Sequence, residues 1–584
     1  MPRPPSPASR LPARSLILPL LLASALATEA APIPAFPGAE GFGAYAVGGR
    51  GGDVYTVTNL SGDAAVEGSL AHGLATAPDS GRTIVFAVSG YIPAPPKNLR
   101  VTKPRITIAG QTAPGDGVGL RGGTLLVSAP DVVIRHLRLR HGRDGRGGDC
   151  LNLDSNADNV VVDHVSMQFS TDENMSSFKR PPENLTLQYS LNAWGLETHS
   201  CGGLWDQSHA TAHHNLWAHN HTRNPKARPA GLLEWVNNVT FDWDIGFIMG
   251  DSHTPMDWKA NVIGNTFLCP PGNLRKFALE KAWLDNATPR RPNFSLHLAD
   301  NLIDNDGDGK LNGVDRGYAI VEGEPFDPAE NVPAHAEKPK VARHRRSDTP
   351  FPGSPAGLRV DPARLAYKKV VSSAGALRLD ALSGRPLRDE VDSILIEKLV
   401  SQTRFHVKNE KDTGASGEGF GLLSATPAPR DSDRDGMPDA YETALGWSAD
   451  QADNNTPLAA ADRILAGTTF LPPASPAGYT RLEEYLHFLA SPHAVARRDS
   501  SGKPAALEID LSRYTHGFNA LTPVFTVSSP VGGTVAGSGP GGRVVSFRPA
   551  PGHTGRARFE FTVTDSQGDA WTRSFLVLIP AAER

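Results

Sequence analysis

Short runs in which apolar and polar residues alternate recur along the first half of this chain. They are Asp131-Val132-Val133-Ile134, Asn159-Val160-Val161-Val162, Asn184-Leu185-Thr186-Leu187 and Ala210-Thr211-Ala212-His213, then Asn238-Val239-Thr240-Phe241 and Asn261-Val262-Ile263-Gly264. Their starts lie about 23 to 28 residues apart, a period that marks stacked repeats. A polar Asn or His follows several of them by a few positions, at His136, His164, Asn192, Asn215 and Asn265. One such strand cannot bury its inner face alone, so neighbouring coils must stack to make a continuous core. The intervals are too long for hairpins and lack helical periodicity. A mainly β chain built on a parallel β-helix is therefore expected, with a large antiparallel β-protein as the alternative.

Beyond the repeats the pattern changes twice. The solenoid is expected over 31–315. From 316 to 365 the chain is charged and rich in proline, and Arg343-His344-Arg345-Arg346 reads as part of a wrapping loop. Helical periodicity returns from Asp389 to Thr403 and again at Arg481-Leu482-Glu483-Glu484-Tyr485-Leu486. The stretch 316–500 is thus expected to hold wrapping loops and a helical segment. Over 501–584 short strands reappear at Val544–Phe547, Phe559-Phe561-Val563 and Phe575-Val577-Ile579, with turns at Pro551-Gly552 and Asp565-Ser566-Gln567-Gly568. This predicts a small Ig-like β-sandwich.

At the start, Arg10 and Arg14 precede an apolar run from Leu16 to Ala27, followed by small residues suited to cleavage. Residues 1–30 read as a secretory signal peptide. The run is too short to span a bilayer, and no later segment is apolar enough to do so. A secreted chain with no membrane partner is expected, in an extracellular, periplasmic or cell-surface setting.

Composition adds limits. The chain has 584 residues, too many for one ordinary core, but a solenoid absorbs several hundred as one unit. Lys and Arg number 58 against 62 Asp and Glu, so no polyelectrolyte surface points to nucleic acid. Recognition of an acidic polymer would have to come from a local patch. A monomer is expected. The three cysteines are Cys150, Cys201 and Cys269. Cys150 with Cys201 is the pair to examine for a disulfide, but an odd count with irregular spacing favours three buried thiols.

Two segments carry candidate chemistry. Asp163-His164-Val165-Ser166 with Thr171-Asp172-Glu173-Asn174 gathers carboxylates, as a hard cation such as Ca²⁺ requires. His213-His214-Asn215 with Thr222-Arg223-Asn224-Pro225-Lys226-Ala227-Arg228 places two arginines five residues apart. Carboxylate-held calcium facing paired arginines suits cleavage of an acidic polysaccharide by elimination. Histidines 199, 209, 213, 214, 219 and 221 could suggest a transition metal. Alternating strand positions make stacked, hydrogen-bonding rings the better reading.

Several stretches together resemble family 1 of the polysaccharide lyases. They are Phe36-Pro37-Gly38-Ala39-Glu40-Gly41-Phe42-Gly43 with Gly48-Gly49-Arg50-Gly51-Gly52 behind it, Ile108-Ala109-Gly110-Gln111-Thr112-Ala113-Pro114-Gly115, the Asp163-His164 strand and the Arg223-Asn224-Pro225 turn. The resemblance covers roughly residues 32 to 490 and rests on the ordered set of motifs. It implies a right-handed parallel β-helix, calcium as cofactor, and pectate lyase activity on an acidic plant polysaccharide (pectate or pectin). It also implies that Arg223 is the base at C5 of a galacturonate. Arg228 would stay charged and grip a substrate carboxylate.

For the catalytic calcium the candidates are Asp149, Asp172 and Glu173, because stacking could bring Asp149 beside Asp172 from one coil earlier; Asp154, Asp158 and Asp163 are weaker. Better-known members of the family offer a lysine between the calcium site and the arginine. Here the stretch reads Glu197-Thr198-His199-Ser200-Cys201-Gly202-Gly203, so Lys226 or His199 would have to substitute. A β-helix glycoside hydrolase, or a noncatalytic polysaccharide-binding protein, are the competing readings.

Two acidic loops stand apart. Asp431, Asp433, Asp435, Gly436, Asp439 and Glu442 occupy positions of an EF-hand-type calcium loop. No clear helix enters it, so an isolated structural loop is expected. Asp304, Asp306, Asp308, Gly309 and Asp315 form a weaker version, for which a solvated acidic turn is the alternative.

Overall fold

The computed structural model describes residues 1–2, 32–95, 98–177, 182–228, 231–250, 258–280, 294–325, 343–458, 469–472, 475–500 and 502–581. The expected signal peptide lies outside these residues. Ile33–Arg584 forms one compact unit, distinct from Met1–Pro32. Among the described residues three sheets of twelve, ten and eight strands form a β-solenoid whose strands pair in parallel from coil to coil, except that Val314–Asp315 pairs antiparallel with Leu302–Asp304. No described helix is long and apolar enough to cross a membrane.

The alternating runs set the register of the first sheet. Val160 pairs with Val132 on one side and with Leu185 on the other, and Leu185 pairs with Ala210. Val132, Ile134, Val160, Val162, Leu185 and Leu187 point into the coil and join one continuous core. Val133 and Val161 point outward, yet they too are buried, under Ala35, Phe36, Ala44 and Ala46. Both faces of these strands are covered, so they read as nearly continuous apolar runs. The glycines of the first motif make that cover possible. A Cβ on Gly43 would stand 2.1 Å from the Val160 carbonyl, and Gly41 has a φ of +80°.

Each coil leaves the first sheet through one residue in the left-handed region: His136, His164, Tyr189 and His214, with φ between 46° and 55°. Their rings stack from coil to coil with centroids 4.8, 5.2 and 4.8 Å apart. Phe169, Trp194 and His219 form a second such column. Inside the coils, Asn215, Asn238, Asn265 and Asn301 pass side-chain hydrogen bonds along the solenoid axis.

Asp163 belongs to this framework. It is fully buried and accepts hydrogen bonds from Arg135 Nε, His164 Nδ1 and Gln188 Nε2 at 2.8, 2.8 and 2.9 Å. Burial would raise its pKa, but His164 and Arg135 overcome that and hold it well below the usual carboxylate range. Its stabilising contribution is therefore present above the unfolded value of about 3.9 and is lost as pH falls toward the folded one. Asp163→Asn should cost about 3 kcal/mol at neutral pH. Urea midpoints of the two proteins should converge once pH drops below about 4; a gap of constant size across that range would remove Asp163 from this role.

Two assignments of strands need correction. Asn238–Phe241 lies in the second sheet as Val239–Phe241, and the first-sheet strand of that coil is Leu232–Val236. Arg343–Arg346, expected in a wrapping loop, is a strand that pairs with Phe294–Ala299. His344 is buried and stacks on Tyr318, while the Arg346 guanidinium lies over the same ring. The first sheet therefore continues past residue 315.

The helix Glu390–Val400 covers the second sheet. Asp389 caps it and pairs with Arg138 and Arg140, while Asp392 accepts from Arg140, Gln168 and Ser166. Beyond it, among the described residues, a four-stranded and a three-stranded sheet share a core that includes Phe525, Phe547, Phe559, Phe561 and Phe575. One of the four strands is His493–Val495, which lies before the expected boundary at 501.

Candidate active site

The third sheet assembles the residues singled out for chemistry. Its strands Arg146–Leu153, Glu173–Ser177, Cys201–Trp205 and Lys226–Ala227 stack in parallel. Glu173 is in register with Cys201, and Cys201 bridges to Thr222. Asp149 and Glu173 thus come from adjacent strands, with Asp172 just before one strand and Arg223 just after the bridge.

Carboxylate oxygens of Asp149, Asp172 and Glu173 lie within 4.8 Å of one another. Asp149 is buried and held by the Glu173 amide at 3.1 Å, by Asn152 Nδ2 at 2.8 Å and by Ser176 Oγ. Asp172 is half-exposed as a side chain, but its Oδ1 is buried and no hydrogen bond reaches it. His199 Nδ1 and Arg223 Nη1 stand 3.1 and 3.5 Å from that oxygen. Arg223 Nη1 donates to Glu173 Oε1.

The electrostatics follow from this crowding. Burial pushes Glu173 up to about 8 in spite of Arg223, with Asp149 and Asp172 adding to the shift. Burial also raises Asp149, against its hydrogen bonds to Ser176 and Asn152. The cluster holds more negative charge than its surroundings compensate, which is the condition a hard cation relieves. Burial alone would lower Arg223, but Cys201, Glu173 and Asp172 outweigh it and raise its pKa. In this arrangement the guanidinium itself supplies the positive charge.

The Arg223 turn is held from within. Asn224 Nδ2 donates to the Asn220 and Ile245 carbonyls at 3.1 and 3.2 Å, and Gly203 N donates to the Arg223 carbonyl at 2.7 Å. A Cβ on Gly202 would meet that carbonyl at 2.5 Å. Asn224 and the Gly202-Gly203 pair were missed as site-building residues, although the paired glycines signal a close backbone approach.

Other expected residues fare differently. Lys226 is half-buried in register with Leu204 and Ile248. Arg228, expected to grip substrate, has its Nε 3.4 Å from Oδ1 of the buried Asp206. His199 is exposed and turns toward Asp172. Cys150, Cys201 and Cys269 are buried free thiols, so the Cys150–Cys201 disulfide is not formed. Burial pushes the Cys201 thiol up, which disfavours a thiolate metal ligand beside His199.

In the first acidic loop Asp431, Asp433 and Asp435 converge, and Asp435 also meets Glu442. Asp439 does not join them: its carboxylate accepts from the amide and hydroxyl of Ser432, both at 2.8 Å. In the second loop the carboxylates of Asp304, Asp306, Asp308 and Asp315 form no comparable cluster among the described residues. Asp304 accepts from Asn312 N, Asp308 pairs with Lys310, and exposed Asp315 accepts from Gly317 N, as in a solvated turn.

Solvent reaches the site at His199, Asp172 and, in part, Arg223. Cavities of about 600 and 430 Å³ lie elsewhere, one beside Ile396 and His516, the other beside Tyr441 and Tyr485.

No family model matches the chain. A probable pectate lyase C of Emericella nidulans is 36% identical over 426 residues, covering 72% of this chain and 88% of that protein. A probable pectate lyase C of Aspergillus flavus is 34% identical over 444 residues, covering 75% and 92%. A solved pectate lyase bound to a hexasaccharide aligns over 58% of this chain and 96% of its own at 13% identity, with a TM-score of 0.38, too remote a likeness to bear on the site. The two relatives match over more than two thirds of this chain and over most of their own lengths, and on that similarity the chain belongs to the pectate lyase family.

Proposed function

We propose that this protein is a secreted, calcium-dependent lyase that cleaves pectate by β-elimination, with Arg223 as the base. The observation that carries the reading is the buried, unbonded Asp172 Oδ1 in a triad of carboxylates with the Arg223 guanidinium lodged against it. Asp149, Asp172 and Glu173 would hold the ion. Bound there, calcium supplies positive charge to a substrate carboxylate and so to the anion that develops at C5.

The remaining chemistry belongs to the chain. Asp149 is fixed by three hydrogen bonds, so it gives the cluster a rigid floor. Glu173 and Asp172 hold Arg223 charged only while their own charge is uncompensated. Neutralising them removes two of the neighbours that, after Cys201, raise its pKa, and alkaline solution helps further, since a free arginine titrates above about 12. Arg223 then takes the C5 proton. The C5–H electron pair forms the C4=C5 double bond, the C4–O bond breaks with its electrons leaving on oxygen, and that oxygen takes a proton from solvent water. We assign Lys226, on the next strand of the same sheet, and Arg228, just after it, to contacts with substrate carboxylates.

A hydrolase reading fits less well. Paired carboxylates in glycosidases stand roughly 5 Å apart or more, on opposite sides of the scissile bond. Here the three carboxylates share one cluster and an arginine sits among them, which a pair flanking a scissile bond does not call for. Polygalacturonate should yield ultraviolet-absorbing product with calcium and none with chelator. Reducing ends without that absorbance would point to a hydrolase, and neither signal to a binding protein. We read the two C-terminal sheets as an Ig-like module and residues 1–30 as the leader, which N-terminal sequencing of exported protein would test.

A further inference from the structure

The Asp431 loop is not used by the chemistry above, and its geometry differs from the twelve-residue pattern. Asp431, Asp433 and Asp435 offer oxygens within 4.8 Å of one another, and so do Asp435, Glu442 and Asp453. Asp453 lies outside the loop and reaches it from a later stretch of chain. Glu442 is fully buried, yet neither of its carboxylate oxygens has a hydrogen-bond partner. Asp433 Oδ2 and Asp453 Oδ1 are likewise buried and unbonded. Their neighbours' oxygens are engaged: both of Asp431 accept from the Arg434 and Gly436 amides, both of Asp435 from the Met437 and Asp453 amides, and Asp453 Oδ2 pairs with Arg481. Unbonded oxygens of several acids turned toward one another are costly unless a cation fills the space between them.

We infer that Asp431, Asp433, Asp435, Glu442 and Asp453 form a second calcium site, separate from the Arg223 cluster, which clasps the 431–453 segment to the first coils of the solenoid. Carboxylates from separate stretches, with no shared rigid frame, suit calcium's flexible shell of six to eight oxygens better than octahedral magnesium. Gly436 brings the loop onto the solenoid, where a Cβ would meet Val54, Leu482 and Val85 at 3.1 to 3.4 Å. Asn455 Nδ2 donates to the Gly52 carbonyl at 2.8 Å, and Glu483 pairs with Arg50 at 2.7 Å. Asp453 links the ion to the helix Arg481–Leu489 through Arg481. Asp439, position nine of the loop, is no ligand, because Ser432 occupies its carboxylate.

The test uses the full chain, desalted in calcium, with metal content and thermal melting as readouts. An ion bound only to the folded state raises Tm with its concentration. Glu442→Gln and Asp453→Asn should each release about one calcium per chain and flatten that rise, while Asp439→Asn keeps both. If Glu442→Gln does not fold, Asp453→Asn and wild-type metal content decide. Equal metal content in wild type and Asp453→Asn would overturn the inference, as would loss of the ion in Asp439→Asn alone. Asp172→Asn, which acts at the other site, should leave this ion in place. A chain that cleaves pectate but shows no Asp453-dependent ion overturns the second site alone.

Discussion

Arg223→Lys is expected to lower kcat by about a hundredfold or more, the loss typical of a missing general base, while oligogalacturonate still binds. A lysine keeps the charge but not the planar fork, and its shorter reach moves the proton acceptor away from C5. Its ammonium can still pair with Glu173, so the fold and the carboxylate cluster should survive. Arg228→Lys should behave differently, raising KM along with its effect on kcat, because its proposed work is holding a carboxylate. Wild-type activity should rise toward alkaline pH, in the direction a base of high pKa demands. Steady-state kinetics of both variants over a pH series separate these outcomes. Near-normal kcat in Arg223→Lys would place the base elsewhere.

Asp172→Asn should weaken the apparent affinity for calcium at least tenfold, the loss seen even for groups that only support a metal ligand. Activity should return in part at high calcium, since Asp149 and Glu173 remain. The half-exposed side chain makes no hydrogen bond through its buried Oδ1, so removing its charge should leave the calcium-free Tm close to wild type. Calcium titration of activity, paired with melting in chelator, checks both parts. Full activity of the variant at limiting calcium would take Asp172 out of the site.

What could be read from sequence followed the physics of each element. Residues 132–135, 160–163 and 185–188 were legible because largely apolar runs repeat at one period and end in a polar residue. Leu232–Val236 escaped because four of its five residues are apolar and no alternation marks it. Arg343–Arg346 escaped because its charge suggested a loop, whereas among its described side chains only His344 is buried. In the site, Asp149, Asp172, Glu173 and Arg223 could be named from motif order. The contact of Arg223 with Glu173, and of Arg228 with Asp206, depends on strand register, which no local pattern encodes. Asp453 was invisible for a similar reason: it joins the Asp431 loop through the return of the chain. Asp439 matched the loop pattern and lost its place to a local hydrogen bond from Ser432.

The mass of the products formed from polygalacturonate in calcium tests elimination most directly. The account predicts oligomers whose new non-reducing end carries a C4=C5 double bond, each lighter by one water than the saturated oligogalacturonate, and about a hundredfold fewer of them in Arg223→Lys at matched enzyme and time. Products that are all saturated would contradict it.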